Sequence, residues 1–291
     1  MASPLTIWPV DGQAAEAIAA AADVFAVTEA QCTRFDPGSV LMRLNARPGR
    51  WTEVPEPAYT ALATAQRAWR RTGGRFDPRV LDVLADLGYG EGPARFTRAP
   101  QGTFLERRPH RREVRLLDGP LDLGGIGKGL AVRWAASRMA RRSAYFLVNA
   151  GGDCYCAGPG PDGGGWRVGV EDPLGREPSR AVLALRDRAV CTSSVRRRTW
   201  LRGGQPVHHL IDPRTRAPSR GGLLAVTVVG PDPAWAEVWS KSLFIEGTAG
   251  IRALAERQGL AALWIDAAGT LRWNDRLQPH LLWSGVQRHL V

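Results

Sequence analysis

The stretch Leu121-Asp122-Leu123-Gly124-Gly125-Ile126-Gly127-Lys128-Gly129-Leu130 decides how this chain is read. It contains one of only two lysines, the other being Lys241, in a sequence whose remaining long cationic side chains are all arginine. Lys128 therefore reads as a residue kept for its chemistry. A short apolar run ends at Asp122, four glycines crowd the turn, and a helix-favouring segment from Ala131 to Met139 follows, so the spacing predicts strand, tight turn and helix. Backbone amides in such a turn approach an anion closely, and a helix N-terminus adds partial positive charge. Two familiar phosphate motifs do not fit. GxxxxGK[ST] requires Gly at 122 and Ser or Thr at 129, where this chain has Asp122 and Gly129. A GxGxxG started at Gly125 requires Gly at 130, where Leu130 stands.

Outward from this turn the chain divides in texture. Gln13 to Gln31 is Ala-rich and helix-favouring, and Arg34 to Gly38 breaks it. A second helix is expected from Pro57 to Arg71, stopped by Gly73-Gly74. Phe76-Asp77-Pro78 reads as a turn, and a short amphipathic piece ends at Gly88-Tyr89-Gly90. From Glu113 onward strand-like runs occur at Val114 to Leu117, Ala144 to Val148, Trp166 to Val170, Ala181 to Leu185, Ala189 to Thr192, Val207 to Ile211 and Leu223 to Val229. Asp232-Pro233 caps a helix over Ala234 to Phe244, and Ile251 to Gln258 is another. Without a regular βαβ rhythm, the pattern predicts an α+β fold with mixed or antiparallel sheets in a single domain over 1–291. Gly158 to Gly165 reads as a flexible surface loop.

The formal charge of +11 is carried by arginines scattered through an Ala-, Gly- and Pro-rich background, a composition that a GC-rich genome also produces. The densest runs, Arg107 to Arg115 and Arg196 to Arg198, match no RNA- or DNA-binding motif, so nucleic acid is excluded as a partner. An anionic substrate would still be attracted. Met1 to Val10 has no basic region followed by an apolar one, and no apolar stretch reaches spanning length, so no membrane insertion is expected and a cytoplasmic location is. Cys32, Cys154, Cys156 and Cys191 form no CxxC pair and no zinc-type cluster, which predicts reduced, buried thiols.

Several segments, in order and spacing, resemble the FAD:protein FMN transferase (ApbE-like) family. They are Ser39-Val-Leu-Met-Arg-Leu-Asn45, Thr72-Gly-Gly-Arg-Phe-Asp-Pro78, Asp122 to Gly129, Asn149-Ala-Gly-Gly-Asp153, Thr192-Ser-Ser194, His208 to Thr215 and Ala236 to Phe244. The resemblance implies a two-lobed single unit that holds FAD between its lobes. It implies transfer of FMN, through its phosphate, to a Thr or Ser hydroxyl of an acceptor flavoprotein with release of AMP. The alternatives are an FAD pyrophosphatase giving FMN and AMP, and a catalytically silent FAD-binding protein.

The resemblance also implies site residues. Asp122 and Lys128 match positions that contact FAD, although Asp122 could equally cap the glycine turn. Asn45 matches an asparagine close to the flavin nucleotide, with a turn residue as the alternative. Leu87, Gly88 and Tyr89 match a stretch lining the flavin pocket, where Tyr89 offers a stacking surface. His209 and Ile211 fall on a strand beside the cofactor, and His209 is the candidate base or phosphate ligand, or else a structural histidine. In the family an Asp and a Thr four residues apart on a helix bind Mg²⁺ together with a backbone carbonyl. Here those positions are Glu237, Lys241 and Gly125, so Mg²⁺ is expected through Gly125 and Glu237, with His209, Glu237 and Lys241 as the catalytic set. A protonated lysine cannot ligate a metal. Either the Lys241 ammonium takes up the metal's neighbourhood and neutralises the pyrophosphate, or Glu237 and Lys241 form an ion pair on a solvated helix face. Further departures from the family pattern are Val40, Arg79, Leu130, Arg133, Ser194 and Arg216.

Overall fold

The computed structural model describes residues 4–9, 14–90, 102–196 and 198–285. Met1 to Ser3 and Val10 of the N-terminal segment, Gln13 of the first helix and Arg197 of the arginine run lie outside the described residues. Leu223–Gly230 is apolar at almost every position because both of its faces are covered. It lies inside a seven-stranded sheet ordered Leu5–Pro9, Phe146–Ala150, Asp153–Ala157, Arg188–Ser194, Leu223–Gly230, Ala261–Asp266 and Leu271–Trp273. Every neighbouring pair in that sheet is antiparallel.

Seven helices are described: α1 (Ala14–Cys32), α2 (Val40–Asn45), α3 (Glu56–Arg71), α4 (Leu81–Asp86), α5 (Gly127–Met139), α6 (Pro233–Glu246) and α7 (Ile251–Arg257). On one sheet face Val226 and Val228 pack with Trp239, Leu243 and Phe244 of α6 and Ile251 of α7. Farther along the same sheet, α1 and α5 pack on Phe146 and Val148. The opposite face is covered by a three-stranded antiparallel sheet of Trp166–Val170, Ala181–Leu185 and Leu281–Ser284. A second core joins α2 and α3 to a small sheet of Trp51–Glu53, Leu105–Arg108 and Glu113–Leu116. Leu130 of α5 and Ala234 and Val238 of α6 belong to that second core. These two helices are therefore the common wall of both lobes.

The capping signals act as their chemistry predicts. Asp232 accepts the Trp235 N–H at 3.1 Å at the start of α6, and Ser39 accepts the Met42 N–H at 3.1 Å at the start of α2. Helix α5 begins at Gly127, earlier than the propensity of Ala131 to Met139 indicates. Packing overrides the cost of its glycines: a Cβ at Gly129 would lie 2.6 Å from the Pro233 carbonyl and 2.7 Å from Ala234 Cα. Only a glycine lets α5 and α6 cross this closely.

Two sequence expectations are corrected, and three strands are added. Leu121-Asp122 is not a strand: it makes one bond to a neighbouring backbone, the Asp122 N–H to the Pro78 carbonyl at 2.7 Å, and joins no sheet. The Asn45 amide takes the place of a strand neighbour, accepting the Leu121 N–H and donating to the Leu121 carbonyl, both at 2.9 Å. The run Val207 to Ile211 breaks into Gln205–His208 and Ile211–Asp212, since the Leu210 N–H turns back to His208 Nδ1 at 3.2 Å. Asp153–Ala157 and Ala261–Asp266 are strands with no clear alternation in sequence, determined by strand partners on both sides, and Leu271–Trp273 is the edge strand paired to Ala261–Asp266.

Replacing Gly129 by Ala is expected to lower stability by about 1–3 kcal/mol, the usual range for overpacking, because two backbones must separate. Denaturant unfolding measures this. An unchanged midpoint would show that the helix crossing is looser than described.

Candidate active site

The loop from Asp122 to Ile126 and the first turn of α5 face α6 across the wall between the lobes. The Lys128 ammonium ion-pairs with Asp153, the first residue of its strand, and lies 3.3 Å from Glu237 Oε1 on α6. Both carboxylates are buried, at 2% and 4% exposure, so they need this cation. Glu237 also accepts the Gly129 N–H at 2.7 Å, a carboxylate placed at the positive end of α5. Asp153 is held in turn by the Thr192 N–H at 3.2 Å.

One helical turn beyond Glu237, Lys241 reaches back to the glycine loop. A Cβ at Gly125 would collide with Lys241 Nζ, and Cδ and Cε would lie 3.1 Å away. Among the described residues Lys241 forms no ion pair or hydrogen bond. Its pKa is lowered from the ordinary lysine value by burial, an effect that the nearby Glu237 and Asp122 carboxylates offset only in part. The alternative of a solvated Glu237–Lys241 ion pair is not what forms: Glu237 is buried and turned to Lys128 and Gly129. The fit to Mg²⁺ also fails. Both oxygens of the one family-type carboxylate are engaged, an ammonium covers Gly125, and octahedral Mg²⁺ requires several free oxygen ligands. Among the described residues no cluster of three or more His, Cys, Asp or Glu side chains could hold a metal ion.

Asp122 takes up its turn-capping alternative, accepting the Gly124 N–H at 3.1 Å, and its Oδ1 stands 3.7 Å from Arg34 Nε. Asn45 turns its amide to Leu121 and so positions the loop. Leu87 and Ile211 belong with Val83 and Leu84 to a small apolar cluster that Tyr89 covers. Gly88 has φ 83°, a left-handed conformation that suits glycine. Tyr89 is already stacked: Trp200 lies parallel at 5.0 Å between centroids and the Arg34 guanidinium sits 4.5 Å above the ring. The Trp200 N–H donates to the Leu87 carbonyl at 2.7 Å, fixing that ring.

His209 is half-buried, and its Nδ1 is withdrawn from solvent without a partner among the described residues. Desolvation first, then the positive charges of Lys241 and Arg198 and the neighbouring His208, hold its pKa well below the ordinary 6.5, so the ring is neutral near pH 7. Two cavities meet here. One, of about 180 Å³, is lined by Arg34, Phe35, Tyr89, Asp122 and Ile211. The other, of about 580 Å³, is lined by Asn149, Asp153, Thr192, Ser194 and Glu237. Gly124, Lys128, Arg198, His209 and Lys241 border both. The larger has the size of a typical small-molecule site.

The sequence reading missed Arg34, Asp153, Arg198 and Trp200. Arg34 is nearly fully buried and both terminal nitrogens lack hydrogen-bond partners among the described residues, a state that a bound acceptor would relieve. No local signal distinguishes it from the many other arginines; the lysines stood out only by their rarity. Cys32 lines the smaller cavity and Cys154 the larger, but all four cysteines are buried, and burial pushes the Cys32 and Cys156 thiols up to about 12.

The fold and cleft define an α+β protein with two adjoining cavities and a basic seam between them. The chain belongs to the ApbE family, whose sequence profile matches residues 1–264. It is 30% identical over 256 residues to the FAD:protein FMN transferase of Escherichia coli K12, covering 81% of this chain and 72% of that one. To the FAD:protein FMN transferase of Salmonella typhimurium LT2 it is 29% identical over 249 residues, 79% and 71% of the two chains. The crystal structure of the ApbE protein of Thermotoga maritima superposes with a TM-score of 0.84 at 24% identity, covering 96% of each chain.

Two measurements test this electrostatic arrangement. Replacing Lys128 by Met leaves two buried carboxylates without their cation and is expected to cost roughly 3 kcal/mol, much of it recovered when Asp153→Asn and Glu237→Gln are added. No recovery would mean that packing, and not charge, is lost. For His209 the folded pKa is depressed, so below about pH 6.5 the unfolded chain binds a proton that the folded chain refuses, and stability falls with pH; above 6.5 the contribution vanishes. His208 and His280 shift in the same direction. His209→Asn should reduce proton uptake on unfolding near pH 5.5 by about one proton. An identical stability slope in that variant would contradict the assignment.

Proposed function

We propose that this protein is an FAD:protein FMN transferase, working as a single unit over its whole chain. The observation that carries the proposal is the seam of Gly124, Lys128, Arg198, His209 and Lys241 between two cavities, within a chain of the ApbE family. A dinucleotide has two bulky ends joined by a pyrophosphate, and this cleft offers two chambers joined by a basic strip. Phosphoryl transfer depends mainly on positioning and on neutralising charge at the phosphate oxygens.

In the reaction, the hydroxyl oxygen of an acceptor Thr or Ser attacks the FMN phosphorus of FAD. A new P–O ester bond to the acceptor forms, the bond from that phosphorus to the bridging pyrophosphate oxygen breaks, and AMP leaves with the bridging oxygen. The hydroxyl proton passes to the neutral His209 ring at Nδ1, the nitrogen without a partner. Lys128 holds Glu237 and Asp153 in place and borders the pyrophosphate path. Asp122 and Asn45 shape the glycine loop; Leu87, Gly88, Tyr89 and Ile211 form the apolar wall beside it. The acceptor is a flavoprotein domain with an accessible Thr or Ser. Mg²⁺ enters no step of this reading, because Gly125 and Glu237 are covered and engaged. No described helix is long and apolar enough to cross a membrane.

Incubating the protein with FAD and a Thr-bearing acceptor domain, while following AMP and covalently bound flavin together, tests the proposal. Equal yields of both support transfer; AMP with free FMN would make the protein a pyrophosphatase, and neither product would remove the enzymatic reading. His209→Gln is expected to slow AMP release by about 100-fold or more while FAD affinity changes little. Normal turnover in that variant would remove His209 from the reaction.

A further inference from the structure

Lys241 presents an ammonium to both cavities while the carboxylates around it are engaged elsewhere. Glu237 serves Lys128 and the Gly129 N–H, and Asp122 serves the Gly124 N–H and Arg34. The stem of Lys241 lies flat on Gly125, where any larger residue would push it away. A half-buried cation without a carboxylate partner is costly in the free protein, and an anion bound in the cleft removes that cost. An ammonium is also a compact point charge on a flexible stem, so it can sit where a broad guanidinium fork would not fit against the loop.

From this arrangement we infer that Lys241 is the built-in cation for the pyrophosphate of FAD, so that this protein binds and turns over FAD without a divalent metal ion. The inference rests on the FAD reading above and deepens it. Lys241 touches the pyrophosphate oxygens, and Arg198, on the rim of both cavities, adds the next positive charge. The departing AMP phosphate gains negative charge as the bond between its bridging oxygen and the FMN phosphorus breaks, and the fixed ammonium meets that charge without reorganisation. The Lys-for-Thr replacement and the engagement of Glu237 then form one coherent change: the site exchanges a metal ion for a covalently attached charge.

The test uses the full chain freed of metals and held in EDTA. FAD and riboflavin affinities are titrated by flavin fluorescence, with and without added Mg²⁺, for the wild type, Lys241→Met and the double variant Lys241→Thr with Glu237→Asp. Wild type is expected to bind FAD in EDTA, with less than about a twofold change on adding Mg²⁺. Lys241→Met should lose about tenfold or more in FAD affinity and little in riboflavin affinity, since only FAD carries the pyrophosphate. The double variant should bind FAD well only with Mg²⁺. AMP release in the same solutions should follow the same order. Wild type that binds FAD only with Mg²⁺ overturns the inference and leaves the FMN transferase reading standing. Lys241→Met binding FAD in EDTA as wild type does also overturns it. Absence of FAD binding under every condition overturns both. Should Lys241→Met fail to fold, the comparison of wild type in EDTA and in Mg²⁺ still decides.

Discussion

The ammonium of Lys128, shared between Asp153 and Glu237, is the contact on which the cleft depends. It fastens the first turn of α5 to the start of a sheet strand and to the middle of α6. Two buried carboxylates drawn from separate elements would repel each other and lose hydration if no cation stood between them. The close crossing at Gly129 gives the geometry, and the Gly129 N–H completes the hydrogen bonding of Glu237. This clamp has a consequence for the neighbouring lysine. With Glu237 held by Lys128, Lys241 has no ion pair or hydrogen bond among the described residues and borders both cavities.

Local charge, and not the total, gives this site its character. The excess of +11 is spread over scattered arginines, many of them exposed, and salt screens such charges beyond about 8 Å at physiological ionic strength. At the seam the lining is partly withdrawn from water, so the same charges act at shorter range and lower dielectric. The neutral His209 follows from this environment. Cations beside it and the loss of hydration both oppose its protonation, leaving a ring that can accept a proton.

Positions at which the chain departs from the family pattern come with partners of their own. Arg79 is buried and pairs with Asp77 at 2.7 Å and Asp118 at 2.9 Å. Arg216 pairs with the buried Asp82 and adopts φ 52°, a left-handed conformation that a non-glycine residue takes at a cost. Arg133 reaches Asp232, the residue that caps α6. Leu130 and Val40 are fully apolar and sit in the second core. The structure offers no account of Ser194. Each of the other side chains is thereby accommodated by the packing around it.

By itself the sequence determined the secondary structure wherever a signal was local: Asp232-Pro233 before α6, Pro57 and Gly73-Gly74 around α3, and the apolar runs at 166–170, 181–185 and 223–229. Its motifs also carried the family, and the rarity of lysine marked Lys128 and Lys241. Tertiary structure alone decided what those lysines do. Which carboxylate meets which ammonium depends on the crossing of α5 and α6, and residues 128, 153 and 237 are brought together by contacts far apart in the chain. The same holds for Asn45, whose amide serves as a strand neighbour for Leu121 across the second core, and for Arg34, one arginine among many until burial leaves its two terminal nitrogens without hydrogen-bond partners among the described residues. Hydrogen bonds and ion pairs between distant segments leave no periodic trace in sequence, because each is set by the packing of whole elements and not by the residues beside it.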